Sequence, residues 1–178
     1  MLSCEPVHAM PTCGRIAFRP FAEEDVARLH AHWNEADVRR HLWDDQPVAV
    51  DTVREVGAAS RASFAADGYG LWILTDAAGF AGTCGLRATD AGDVEVLYSI
   101  EPARWGRGLA TDAARAVLDQ AFGTLGLPRV LGGVDDANHA SRRVLEKLGM
   151  TPHAATTHGP AGVGWLAIDG ARWRAIWA

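Results

Sequence analysis

Trp105-Gly106-Arg107-Gly108-Leu109-Ala110 joins a predicted strand, Val94 to Ile100, to the strongest helical pattern in the chain. Ala110, Ala113, Ala114, Val117, Leu118, Ala121 and Phe122 recur at three- and four-residue spacing, which is one face of an amphipathic helix. Gly126-Leu127-Pro128 stops it, and Val130 to Val134 is short and apolar, the pattern of a buried strand. Strand, helix and buried strand in that order predict a βαβ-like unit. The glycines between the first strand and the helix let backbone N–H groups turn toward one point. The helix N-terminus adds unpaired donors and partial positive charge there. The segment therefore reads as an anion site suited to a pyrophosphate, with Arg107 as a charged contact. A tight strand-to-helix connection is the other reading of the same glycines. A Rossmann dinucleotide site is a poor rival, because the turn lacks the G-x-G-x-x-G spacing and only antiparallel-looking strands come before it.

Upstream, Arg15 to Arg19 alternates polar and apolar residues and ends at Pro20, a first strand. Helices are predicted over Glu23 to Trp33, Ala36 to Leu42 and Thr52 to Phe64, the last with Val53, Val56, Ser60 and Phe64 inward. Trp43-Asp44-Asp45-Gln46-Pro47 is turn-rich. Leu71 to Thr75, Phe80 to Arg87 and Val94 to Ile100 form an antiparallel meander, with a hairpin turn at Asp76-Ala77-Ala78-Gly79. Downstream, Ala140 to Leu148 reads as a final helix with Gly149 just past its end. Two tail strands are expected, one near Thr151 to Thr157 and one over Arg172 to Trp177.

The whole is expected to be one α+β domain over residues 14–178, preceded by a flexible leader, 1–13. A net charge of -5 argues against nucleic-acid binding, which needs clustered Lys and Arg. No window approaches a membrane span, and the start is not a signal peptide. The three cysteines, Cys4, Cys13 and Cys84, have no C-x-x-C spacing, so a reduced, cytoplasmic protein is expected. His153 and His158 lack a third ligand, and no metal site is expected.

The run from Tyr98-Ser99-Ile100-Glu101-Pro102 through Trp105-Gly106-Arg107-Gly108-Leu109-Ala110 to Thr111-Asp112-Ala113 resembles the acetyl-CoA motif of the GNAT superfamily. Asn138-His139-Ala140-Ser141-Arg142-Arg143-Val144-Leu145-Glu146-Lys147-Leu148-Gly149-Met150 resembles the second motif of its ribosomal-protein N-terminal acetyltransferase branch. Phe18-Arg19-Pro20-Phe21 with Glu23-Glu24-Asp25 is similar to the start of that branch. The resemblance covers about residues 14–178. It implies a central, mostly antiparallel twisted sheet of about seven strands, flanked by helices and splayed between strands 4 and 5. It implies acetyl-CoA as co-substrate and direct transfer to a primary amine in a ternary complex. Trp105 to Ala110 would then hold the pyrophosphate through backbone N–H groups. Tyr98, Ser99 and Ile100 would pair with the pantetheine arm by main-chain bonds. Asn138 matches a position whose amide contacts the cofactor arm, and it also fits a helix N-cap. Ser141 is a proton donor to the departing thiolate or a helix-surface serine.

Attack on a thioester needs a neutral amine, and an alkylammonium has a reference pKa of ~10.4. A proton acceptor is therefore required. Glu95, on the fourth strand where the branch commonly has Glu, is the candidate base, against the alternative of an outward-facing strand residue. His41 is a further candidate, against a structural role. Trp43, Asp44 and Asp45 are candidates for the acceptor mouth. Cys84 reads as a small core residue. The acceptor is a protein N-terminus or a small amine, an aminoglycoside included. A non-catalytic acyl-CoA sensor is the rival class. A homodimer through exposed C-terminal strands is compatible with the pattern.

Overall fold

The computed structural model describes residues 10–153 and 162–177. Seven strands form one sheet in the order β1-β2-β3-β4-β5-β7-β6. They are β1 (Ala17–Pro20), β2 (Leu71–Asp76), β3 (Gly79–Ala88), β4 (Val94–Ile100), β5 (Arg129–Asp135), β6 (Thr151–Pro152) and β7 (Val163–Asp169). The helices are α1 (Val26–Trp33), α2 (Ala36–Leu42), α3 (Val50–Asp67), α4 (Leu109–Gly123), α5 (His139–Lys147) and α6 (Gly170–Trp177). Short 3-10 turns at Glu23–Asp25 and Pro102–Arg104 precede α1 and α4. All neighbouring strands pair antiparallel except β4 and β5, which run parallel. That one parallel pair follows from the crossover through α4. β4 and β5 meet at Glu95 and Leu131 and part beyond them, which is the expected splay.

The period of two along β2 divides two cores. Trp72 and Leu74 join the larger cluster with Ala113, Val117, Ala121 and Leu145 of α4 and α5. Leu71 and Ile73 join the smaller cluster with Leu29, Trp33, Val38 and Val53 of α1 to α3. Ser60 faces inward as expected and accepts from the Leu71 N–H at 2.7 Å, which ties α3 to β2.

The tail corrects the sequence reading. Arg172–Trp177 belongs to a helix and not a strand. The alternation of arginines and tryptophans fits either period over so few residues. Tertiary packing decides it. Trp173 and Trp177, four apart, stack at 5.6 Å, and Trp173 also stands against Phe122 at 5.7 Å. The Asp169 carboxylate, just ahead of the helix, accepts from the Arg172 N–H at 2.8 Å. Ala140 to Leu148 is accordingly the penultimate helix. The strand expected near Thr151 to Thr157 is present at Thr151–Pro152, and residues 154–161 lie outside those described. β7 occupies Val163–Asp169, a strand that the sequence reading did not name. Most of the leader, residues 1–9 with Cys4, also lies outside the described residues. Cys13 bridges to Ile16 and packs on the larger core. No helix among the described residues is long and apolar enough to cross a membrane.

Candidate active site

The glycine turn stands at the mouth of the splay. Gly106 and Gly108 take φ of 74° and 77°, left-handed values that a Cβ disfavours. Gly108 is the N-cap residue of α4, and no side chain caps the helix. The first-turn N–H groups are thus left for an anion. Arg15, just before β1, braces the turn. Its Nη2 donates to the Arg107 carbonyl at 2.9 Å and its Nε to Asp112 Oδ2 at 2.7 Å. The Trp105 indole N–H donates to the Ile100 carbonyl at 2.7 Å, while half of the residue stays exposed.

A cavity of about 430 Å³ runs from this turn into the splay, a size that suits a small-molecule cofactor. It gathers Tyr98, Ser99 and Ile100 of β4, Trp105, Gly106, Gly108, Leu109 and Ala110 of the turn, and Asn138 and Ser141 of α5. Of the residues expected at the cofactor, Arg107 alone is not in this lining. The wall opposite α5 is α2, with Asp37, Arg40 and His41. Of the cations in the lining, Arg40 is ion-paired to Asp37 and Arg104 to Asp76 and Glu101, so Arg143 and Lys147 carry the excess positive charge. A chain of net charge -5 therefore presents a cationic cavity.

Asn138 caps α5. Its Oδ1 accepts from the Ser141 N–H at 3.0 Å, so the N-cap role is real and leaves the amide NH₂ uncommitted by that bond. Ser141 Oγ lies 2.8 Å from the Tyr98 hydroxyl, which also donates to the Ser141 carbonyl at 3.2 Å. Burial pushes the Tyr98 phenol above its usual pKa, and the Ser141 bond only partly opposes this. The pair is held protonated at the cavity wall.

Other expected residues are not brought to the cavity. Glu95 is buried at the vertex of the splay, and Arg87 Nε donates to its carboxylate at 2.8 Å. Trp43 packs on Trp33 at 5.2 Å in the smaller core. Asp45 accepts from Arg39 at 3.1 Å, and Asp44 and Asp45 sit in the turn after α2 with φ of 51° and 58°. None of these four lines the cavity. Conversely, no sequence pattern marked Arg15 or the partner of His41. His41 Nδ1 stands 3.5 Å from Asp135 Oδ2. The partner lies at the end of β5, and only the parallel pairing of β5 with β4 brings it opposite α2. His158 lies outside the described residues.

Comparison with known proteins agrees with this geometry. The family model of the acetyltransferase (GNAT) domain matches residues 15–151. An uncharacterized N-acetyltransferase, p20 of Bacillus licheniformis, is 26% identical over 146 residues, 75% of this chain and 78% of that protein. The uncharacterized protein YkkB of Bacillus subtilis is 38% identical over 90 residues, and the chain spans about half of its length, 52%. Among solved structures, an acetyltransferase from Agrobacterium tumefaciens superposes with a TM-score of 0.79 at 22% identity, covering 90% of this chain and 95% of that one. A spermidine N-acetyltransferase from Vibrio cholerae, solved with CoA and spermine, gives a TM-score of 0.73 at 17% identity, covering 91% and 99%. A family model spanning most of the chain, on a sheet that opens between β4 and β5, makes this protein a member of the acetyltransferase (GNAT) domain family and hence an acyltransferase.

Proposed function

We propose that the protein transfers an acetyl group from acetyl-CoA to a primary amine within the β4–β5 splay. The cationic cavity that begins at the uncapped N-terminus of α4 carries this reading. The pyrophosphate sits on the backbone N–H groups of Gly106 to Ala110, and Arg107 reaches it from outside the lining. Arg143 and Lys147, on successive turns of α5, supply charge for the remaining phosphate. The pantetheine arm lies along the free edge of β4 at Tyr98 to Ile100, and Asn138 offers it an amide donor. A backbone N–H between Val96 and Tyr98 stabilises the oxyanion.

Attack by the amine nitrogen forms the C–N bond and expels the thiolate. Ser141, hydrogen-bonded to Tyr98, donates the proton that the thiolate takes up, and the proton that the nitrogen sheds as the amide forms restores the Ser141 hydroxyl. The acceptor enters on the α2 side, past Asp37 and the His41–Asp135 pair. Glu95 is the carboxylate at the vertex, and Arg87 engages its Oε1. The motif resemblance favours a protein N-terminal amine, and the small cavity favours a small amine.

Thiol release from acetyl-CoA, measured across alkylamines, aminoglycosides and peptide N-termini, tests the reading. Turnover with at least one acceptor is expected. Acetyl-CoA binding without turnover for every amine replaces it with a non-catalytic acyl-CoA sensor.

A further inference from the structure

His32 is the most deeply buried histidine among the described residues, at 1% exposure, and the site described so far does not use it. It lies on α1 beneath the β4 edge. Its Nε2 stands 3.0 Å from Ser99 Oγ, and Ser99 lines the cavity. Ser99 Oγ is in turn 3.0 Å from Thr83 Oγ1 on β3. The other ring nitrogen, Nδ1, is buried and has no hydrogen-bond partner. An orphaned buried polar atom costs on the order of 1–3 kcal/mol, so its placement needs a reason. Nδ1 points toward Glu35, whose Oε1 is 3.8 Å away and whose side chain is 44% exposed. Phe80 packs edge-on against the ring at 5.3 Å and seals its flank from water. A polar line thus runs from the cavity wall through one imidazole toward the protein surface, with a gap of 3.8 Å between Nδ1 and Glu35.

We propose that Ser99, His32 and Glu35 form the route by which the acceptor ammonium loses its proton to solvent. The inference rests on the acetyltransferase reading. Conversion of an ammonium and acetyl-CoA to an amide and CoA releases one net proton. That proton has to leave while the cofactor fills the mouth of the cavity. The Ser99 hydroxyl takes it from the nitrogen as its own proton passes to His32 Nε2. The Nδ1 proton then passes to Glu35, by a rotamer change or across one water, and on to solvent. Between turnovers the open cavity restores the starting tautomer of the ring. The charged groups that face this line are Arg28 on α1 and Glu35, the N-cap residue of α2, with Glu101 and Arg104 beyond β4. Arg28 is ion-paired to Glu101, and Arg104 bonds Glu101 at 3.3 Å. Burial and the Glu101 charge raise the Glu35 pKa, which suits a group that accepts a proton briefly. Burial, reinforced by Arg28, holds His32 neutral, with its pKa lowered to about 4, so the ring passes the proton on without keeping it.

His32→Gln keeps an amide within reach of Ser99 but cannot relay. The test measures kcat and the acetyl-CoA KM of the full chain from pH 7 to 9.5, with the amine that the wild type acetylates fastest. Expected is a kcat lower by about 100-fold at pH 7, the scale of general acid–base assistance, with the acetyl-CoA KM within about twofold of wild type. The loss shrinks as pH rises toward the amine pKa, because a neutral amine needs no route for its proton. Glu35→Gln, on the surface, follows the same trend with a smaller loss and an unchanged melting temperature. Wild-type kcat at pH 7 in both variants, or a loss constant across the pH range, overturns the route and leaves the acetyltransferase reading standing. If the wild type acetylates no amine at all, both fall together.

Discussion

Across 92 positions of sequence, Arg15 Nη2 donates to the Arg107 carbonyl at 2.9 Å, and the same guanidinium is ion-paired to Asp112 in the first turn of α4. A residue two places ahead of the first strand is therefore tied to both the glycine turn and the helix that follows it. Arg15 is half exposed, so the ion pair adds little stability. Arg15→Ala is expected to leave the melting temperature nearly unchanged and to weaken acetyl-CoA binding about tenfold, the scale of one lost positioning bond. Calorimetric titration checks it, and equal affinity would show that the turn holds its shape unaided.

Gly108→Val places a β-branched residue at φ 77°, a conformation that costs roughly 1–2 kcal/mol for a side chain. Gly92, in the β3–β4 connection at φ 82° with open space around it, is the matched control. Both variants should lose stability. Acetyl-CoA affinity should fall only in Gly108→Val. Parallel loss of affinity in Gly92→Val would detach the effect from the turn.

Asn138 has two roles that substitution separates. Asn138→Ser retains an N-cap oxygen and should unfold near the wild-type temperature, while Asn138→Ala loses about 1 kcal/mol. If the Asn138 amide also serves the cofactor, both variants bind acetyl-CoA more weakly. An affinity that tracks stability alone, unchanged in Asn138→Ser, would confine Asn138 to capping.

Acid stability should carry the signature of His32. Burial lowers its pKa from the ordinary 6.5 to about 4. Above pH 6.5 the ring is neutral folded and unfolded, and it contributes no pH dependence. Between those values the unfolded chain binds a proton that the native protein refuses. Stability therefore falls as pH drops, by up to about 3 kcal/mol below pH 4. Urea unfolding at pH 7 and pH 4.5 checks this. His32→Gln should flatten that part of the acid limb, and an equally steep fall in the variant would assign the limb to other groups.

The C-terminal helix is expected to be integral to the larger core. Trp173 is buried against Phe122 and Trp177, and its indole N–H donates to Asp119 at 2.9 Å. Trp173→Ala should cost about 3–5 kcal/mol. A loss below 1 kcal/mol in denaturant unfolding would mean that α6 docks only loosely.

The residues themselves explain what was legible in advance. The alanine-rich face of α4 has a long, unambiguous period, and the glycine pair has a conformational need that few other contexts impose. The turn and the β4–α4–β5 unit were therefore readable, as were the residues that line the cavity from them. Arg172–Trp177 was too short for its period to distinguish helix from strand, and contacts with Phe122 and Asp119 settled it. Glu95 carries the right chemistry at the right strand position, but Arg87, its cross-strand neighbour, engages its carboxylate. Arg15, Asp135 and His32 acquire their significance from partners far away in sequence. No local pattern marks them.

The parting of β4 from β5 leaves strand edges unpaired in the middle of a sheet. Such an edge is normally a template for another chain and a liability to clumping. Here residues of α2 and α5 line the cavity beside it. On the proposed reading, a pantetheine arm in the gap would act as a supernumerary strand and repair the ladder. Cofactor supply would then govern the lifetime of the protein as well as its turnover: at a hundred times the dissociation constant, binding adds about 2.7 kcal/mol against unfolding. Cells short of acetyl-CoA would hold a weaker, stickier form of this enzyme.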